Sequence, residues 1–490
     1  MAKINVTING NAYAVEEGKT ILQAARENGV YIPTLCNFEG IEARANCRIC
    51  VVEVEGMRTF QPACATKVSN NMVVNTDTEK VRAARKATLE LIMAHHAVDC
   101  HHCMRIGSSS EQSLDPYFCE MCFWCDCERD GFCELQALNR EYHVDVLPYI
   151  QHEADYEIDK TLDSVIRNPN KCIKCRRCVD VCGQVQTVHN LSMANRGRDI
   201  MVVPEMGKSM AESACVRCGH CVDVCPVGAI YMQEHKDEVL YNTHSYDTNT
   251  VAMLSSDVIP ELTKLYKVAD GEISMNQVCS ALHKIGFDKV VTDEYAKAEA
   301  SKQAAAVVEK KISDKKAKEP VIITNSHAVL NFVDRYFPEM KEKIEVYQSA
   351  QEIFGKAAES LGFEKAVKTV NITNVKEMGA EAKETCDVDY VWNARELYRV
   401  FLRTGGAPHK KYPKAFDEFA GGNTAEGGKN VLPYAELLGD KEWTLSKDIE
   451  EVAIMVSGRP VKCAVARNLG QVRSLLEGGC RDYEVVRLMA

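Results

Sequence analysis

Residues 172–182 read CIKCRRCVDVC, and residues 215–226 read CVRCGHCVDVCP. Both runs follow C-x2-C-x2-C-x3-C. Three closely spaced thiolates wrap one iron–sulfur cubane, while the fourth reaches the neighbouring cluster. The spacing therefore assigns Cys172, Cys175, Cys178 and Cys225 to one [4Fe–4S] cluster. It assigns Cys215, Cys218, Cys221 and Cys182 to a second. Structural zinc sites pair two C-x2-C knuckles instead. The first run continues into Gly183 where the second continues into Pro226, a small departure from the two-cluster pattern. The expectation is a bacterial 2[4Fe–4S] ferredoxin-like domain over residues 146–235.

Upstream, residues 3–8 and 11–15 alternate around Asn-Gly-Asn, a hairpin signal. TILQAAREN (20–28) follows as a helix, with Thr20 as N-cap and Gly29 as C-cap. Then come Cys36, Cys47 and Cys50, the strand VVEVEG, and Cys64. A long first gap, a C-x2-C and a distant fourth cysteine follow plant-type [2Fe–2S] logic with altered spacing, a zinc ribbon being the alternative. Residues 1–80 are expected to form a small β-grasp domain around that cluster. Residues 80–96 read as a helix.

Composition restricts the class of protein. The 490 residues include 23 cysteines, 19 of them between Cys36 and Cys225. The N-terminus lacks an apolar secretion segment, so the thiols are expected in a reducing, cytoplasmic compartment, where they serve metals rather than disulfides. A net charge of −11 argues against nucleic acid as a partner, because phosphate binding needs a basic face. No apolar run reaches the length of a membrane span.

From about residue 270 the pattern changes to alternating helices and strands, an α/β layer arrangement. Residues 296–318, rich in Ala and Lys, read as a solvated helix or insertion with a charged surface face. GGNTAEGG (421–428) does not fit G-x-G-x-x-G, and neither a Walker A motif nor a flavin fingerprint occurs. Cys279, Cys386, Cys463 and Cys480 are isolated from one another and read as core residues.

The stretch from His96 is the densest in ligands. It offers His96, Cys100 and Cys103, then Cys119, Cys122, Cys125, Cys127 and Cys133. His96-x3-Cys100-x2-Cys103 resembles the [4Fe–4S] site with one histidine and three cysteines shared by complex I large subunits and modular [FeFe]-hydrogenases. That resemblance implies His96, Cys100, Cys103 and Cys133 as one site within residues 81–145. Cys127 competes with Cys133 for the last place, because Cys127-x5-Cys133 echoes the family spacing. The inserted Cys119, Cys122, Cys125 and Cys127 would hold an additional cluster or zinc. His95, His101 and His102 are expected to be solvent-facing or supporting groups.

In this order the modules look like the first half of the [FeFe]-hydrogenase catalytic subunit. SALHKIGFDKVVTDEYAKA, VDRYFPEM, VDYVWNARELYRVFL and CAVARNLGQVRSLLE resemble segments of its catalytic domain, here residues 236–490. The motifs that hold the family's hydrogen-forming iron centre, the H-cluster, depart. Where the family has T-S-C-C-P this chain has TNSHA, with Ser326 and His327 in the cysteine places. Where the family has M-P-C-x-x-K it has ITNVKE, with Asn374 at the ligand and Glu377 at the lysine. The third motif, M-A-C, reaches only Met489-Ala490. Asn and Ser cannot anchor a cubane in place of thiolates. The expected fold class is thus α+β multidomain, ending in an α/β hydrogenase-like domain without the H-cluster.

The resemblance implies an electron conductor with no catalytic residue of its own. It would carry one [2Fe–2S] and three [4Fe–4S] clusters, plus a further cluster or zinc in the insertion. It resembles hydrogenase-like subunits of flavin-based electron-bifurcating complexes. The implied partners are a complex-I-like FMN/NADH subunit, a thioredoxin-like [2Fe–2S] subunit, soluble ferredoxin and an NADP-linked flavoprotein. The equivalent subunit of an NADH- and ferredoxin-linked formate dehydrogenase, and a non-enzymatic redox sensor or scaffold, are the competing readings.

Overall fold

The computed structural model describes residues 2–96, 129, 133–144, 149, 156–162, 164–313, 319–385, 387–410, 413–417, 434–439 and 441–490. Its first unit is a five-stranded mixed sheet. The strand order is Asn11–Glu16, Lys3–Ile8, Met72–Asn75, Val51–Val54 and Gln61–Pro62. The Asn9-Gly10 turn closes the first hairpin with both residues at positive φ, which glycine accepts freely and asparagine tolerates. Helix Ile21–Glu27 begins with a capping box, Thr20 and Gln23 each satisfying the other's backbone N–H. Its C-cap is Asn28; the expected Gly29 comes one residue later, at φ +72°. Val6, Ile8, Ile21, Leu22, Val52 and Val74 form the core beneath.

Helix Glu79–Met93 starts at the N-cap Thr78 and packs Leu89 and Met93 against Leu135 and Leu138 of helix Glu134–Glu141. That apolar cluster continues without interruption into Val165, Val181, Val222 and Ile230 of the next unit. There, two short antiparallel ladders, Ile166–Arg167 with Ile230–Tyr231 and Leu191–Ala194 with Met201–Pro204, frame the short helices Arg177–Asp180 and His220–Asp223.

The second half contains two parallel sheets. One orders Lys289–Thr292, Thr248–Leu254, Ala366–Ile372 and Tyr390–Trp392. The other orders Ile344–Val346, Val321–Thr324, Val485–Leu488, Arg459–Ala466 and Glu450–Val456, with only the last pair antiparallel. Strands such as Val321–Thr324, buried at every position, show the continuous apolar pattern of a sheet covered on both faces. The Ala/Lys-rich segment differs from the expected solvated helix. Helix Glu294–Ser313 buries Ala296, Ala300, Ala304 and Val308 in the core, leaving Lys302, Lys310 and Lys311 exposed. Alanines at this spacing let a helix approach a sheet closely, a face that a Lys-rich composition hides. Cys279, Cys463 and Cys480 are buried core thiols, whereas Cys386 lies outside the described residues.

Candidate iron–sulfur sites

In the first unit, the thiols of Cys36 and Cys47 hydrogen-bond each other, and so do those of Cys50 and Cys64. The connecting loop holds Ala45 and Arg48 at φ +52° and +58°. This uncommon backbone turns N–H groups onto sulfur: those of Asn46 and Cys47 onto Cys36, that of Ile49 onto Cys47, that of Ala45 onto Cys64. Cys36 is pulled down to about 6, chiefly by its bond from Cys47, while Cys47 and Cys50 are pushed far up as the donors. Four converging sulfurs ringed by amide donors fit a thiolate-ligated cluster, whose charge such donors stabilise.

The next unit brings its eight cysteines together around two cavities. One is lined by Cys172, Cys175, Cys178 and Cys225, with Ile173, Val227 and Ile230. The other is lined by Cys182, Cys215, Cys218 and Cys221, with Val181, Val188 and Leu191. The two runs repeat one backbone device. Lys174 and Arg217 both stand at positive φ and donate their N–H to the preceding cysteine sulfur at 3.4 Å. Arg176 and Gly219, each following the second cysteine, are also left-handed, at φ +73° and +78°. Burial pushes the thiols of Cys172 and Cys215 up to about 11, and raises Cys175, Cys178, Cys182, Cys218 and Cys221. A four-thiolate set in apolar walls needs iron to compensate its charge, which is the donor chemistry of a cubane.

His96 is buried just beyond helix Glu79–Met93. Cys133 is the N-cap of helix Glu134–Glu141, its sulfur accepting from Gln136 N at 3.4 Å. Both helices share one core. Cys100, Cys103, Cys119, Cys122, Cys125 and Cys127 lie outside the described residues.

In the second half, the positions that depart from the hydrogenase motifs are engaged in the fold. Ser326 caps helix His327–Tyr336, accepting from Val329 N at 3.2 Å, and donates to Glu377 at 2.7 Å. Asn374 donates its N–H to Asp257 at 2.8 Å and its side-chain amide to Asp257 O at 3.0 Å, and accepts from Ala394 N at 3.0 Å. Glu377 is raised by burial, with Ser326, His220 and His327 pulling the other way, and its charge extends to Cys218. His327 Nε2 lies 3.3 Å from Glu352. These positions thus offer hydroxyl, imidazole, amide and carboxyl groups rather than thiols.

Three domain families match. Residues 1–79 match the 2Fe-2S iron-sulfur cluster binding domain, and residues 163–231 the ferredoxin-like domain of NADH-quinone oxidoreductase subunit 3. Residues 248–490 match the C-terminal domain of the iron only hydrogenase large subunit. The second half of the chain is thus similar to the C-terminal domain of iron only hydrogenase large subunits. The NADP-reducing hydrogenase subunit HndD of Solidesulfovibrio fructosivorans is 29% identical over 100% of this chain and 87% of its own. Iron hydrogenase 1 of Clostridium pasteurianum is 24% identical over 91% of this chain and 77% of its own. The NADH-ubiquinone oxidoreductase 75 kDa subunit of Reclinomonas americana is 32% identical over 40% of this chain, but only 25% of that relative is covered. No described helix is long and apolar enough to cross a membrane.

Proposed function

We propose that this chain is the iron–sulfur electron-transfer subunit of a flavin-based electron-bifurcating complex linking NADH, ferredoxin and NADP, and that it forms no hydrogen itself. The observation carrying this reading is a contrast within one molecule. Cysteines of the first half converge in sets of four, while Ser326 and Asn374 of the hydrogenase-like half are tied into ordinary structural hydrogen bonds.

In this reading Cys36, Cys47, Cys50 and Cys64 hold the [2Fe–2S] cluster. Cys172, Cys175, Cys178 and Cys225 hold one [4Fe–4S] cluster, and Cys182, Cys215, Cys218 and Cys221 the next. His96 and Cys133, with Cys100 and Cys103, hold a third. Cys119, Cys122, Cys125 and Cys127 hold a fourth cluster or zinc. When bound, these clusters accept and pass on single electrons. The chain's own residues supply sulfur ligands, amide donors that tune each cluster, and apolar walls that limit water around it. The [2Fe–2S] unit and the histidine-ligated region would face the NADH-side flavoprotein, and the two ferredoxin-like cubanes would exchange with soluble ferredoxin. The hydrogenase-like half would serve as a docking surface. Likeness to an NADP-reducing hydrogenase subunit favours NADP as the second nucleotide pool.

Purification of the native complex, followed by an assay of NADPH-dependent reduction of NAD together with ferredoxin, tests the reading. A co-purifying flavoprotein and that activity are expected. Activity with formate but not NADPH, or a chain that purifies without a flavoprotein, would overturn it.

A further inference from the structure

His327 opens helix His327–Tyr336, Glu352 lies in the first turn of helix Ala350–Glu359, and Glu381 lies within helix Glu377–Thr385. One ring nitrogen of His327 and one oxygen from each carboxylate lie within 4.8 Å of one another. Three separate helices therefore bring one imidazole and two carboxylates to a point. Glu381 is 0% exposed. Ser349 donates to its Oε1, but its Oε2 accepts no hydrogen bond among the described residues. A buried carboxylate oxygen left without a donor is costly, and proteins rarely leave one so. A third carboxyl, Glu377, stands one helical turn before Glu381 and adds to the local negative charge. Ser349 also fixes the geometry: as the N-cap of helix Ala350–Glu359 it accepts from Glu352 N at 3.2 Å while holding Glu381.

We infer that His327, Glu352 and Glu381 form a binding site for a divalent first-row cation inside the hydrogenase-like half. One imidazole with two carboxylate oxygens suits zinc, manganese or ferrous ions. The cation would supply the missing partner of Glu381 Oε2 and offset the neighbouring carboxyls. The role is structural: it pins three helices together. The site stands apart from the proposed electron-transfer function, since neither its ligands nor its metal takes part in carrying electrons.

The test uses the full chain, prepared anaerobically with its clusters and then oxidised, so that the clusters are diamagnetic. Manganese(II) is the probe, because it favours carboxylate and water over thiolate and so avoids stray cysteines. Loss of the free manganese resonance signal on titration counts bound ions. Wild-type protein is expected to bind one equivalent that zinc displaces, and Glu381→Gln and His327→Gln to weaken binding at least tenfold with unchanged iron content. Glu352→Gln, altering the ligand on the remaining helix, gives the same comparison should either of those variants lose iron. Absence of manganese binding to the wild type, or equal binding by wild type and variants, would overturn the assignment.

Discussion

Arg177 donates two hydrogen bonds to the Glu134 carboxylate, at 2.7 and 2.8 Å, from a position only 4% exposed. The same guanidinium donates to Asn37 O at 2.9 Å and lies 5.4 Å from the ring centre of Phe38. Asn37 follows Cys36, Glu134 follows Cys133, and Arg177 precedes Cys178. One planar cation thus ties together the loops that carry three candidate cluster sites. Arg44 reinforces the junction from the first unit, bonding Asp180 at 3.1 Å.

The Arg177 charge also lowers the Cys36 thiol and interacts with Cys175. A positive charge beside a cluster favours its reduced form. Arg177→Gln should therefore lower the [2Fe–2S] potential. A Coulomb change of about 1 kcal/mol corresponds to roughly 40 mV for one electron. It should also destabilise the junction by about 1–3 kcal/mol, the usual worth of charged hydrogen bonds. Arg177→Lys should retain most of the potential and less of the stability, since lysine lacks the two-pronged geometry. Redox titration followed by electron paramagnetic resonance measures the first effect, and an unchanged [2Fe–2S] midpoint in Arg177→Gln would refute it.

Metal analysis of anaerobically purified chain should return about 14 iron atoms for one [2Fe–2S] and three [4Fe–4S] clusters, or about 18 with a fourth cubane. One zinc beside about 14 iron would give Cys119, Cys122, Cys125 and Cys127 a structural role. Fewer than about 10 iron atoms after full reconstitution would contradict the assignment of the two cysteine cavities together with the [2Fe–2S] loop.

Hydrogen evolution from reduced viologen should stay at background even when hydrogenase maturation factors are supplied. Ser326 and Asn374 are committed to Glu377 and Asp257, so no thiolate awaits an iron centre at either position. Turnover clearly above a no-protein control would show that another set of groups can hold one.

The two cysteine runs were legible because a cubane imposes its own spacing on the chain, and each cavity is lined by the four cysteines that this spacing groups together. The N-terminal hairpin and Thr20 cap were legible because they are local rules of backbone and side chain. Arg177 was not. Its partner Glu134 is 43 residues away, and nothing in RRC marks which arginine turns inward. The meeting of His327, Glu352 and Glu381 was hidden for the same reason: three helices separated by strands must pack before their side chains share a point. Helix Glu294–Ser313 misled through composition, since its lysines read as a solvated face while its alanines do the packing.

Glu396 offers a test of the hydrogenase-like half by pH. It is fully buried, its Oε1 accepting from His235 N at 2.8 Å and its Oε2 from Asn393 N at 3.3 Å. Burial, and then the charge of Glu234, push its carboxyl up to about 8 from an ordinary value of 4.5. A carboxyl raised in the folded state keeps a proton that the unfolded chain has already lost. Stability from this group is therefore complete below about pH 4.5 and declines as pH rises through about 8, by about 1.4 kcal/mol for each unit of separation. Glu396→Gln removes the titration but keeps one acceptor, so it should cost about 1 kcal/mol at about pH 4.5, before the unfolded carboxyl has lost its proton. Between about pH 4.5 and 8 the wild-type melting temperature should fall more steeply than that of the variant, and the two curves should cross. Glu234 titrates in neither case over this range, because Arg395, Arg399 and Lys236 hold its carboxyl low. Melting curves that stay parallel from about pH 4.5 to 8 would show that Glu396 is already ionised in the fold.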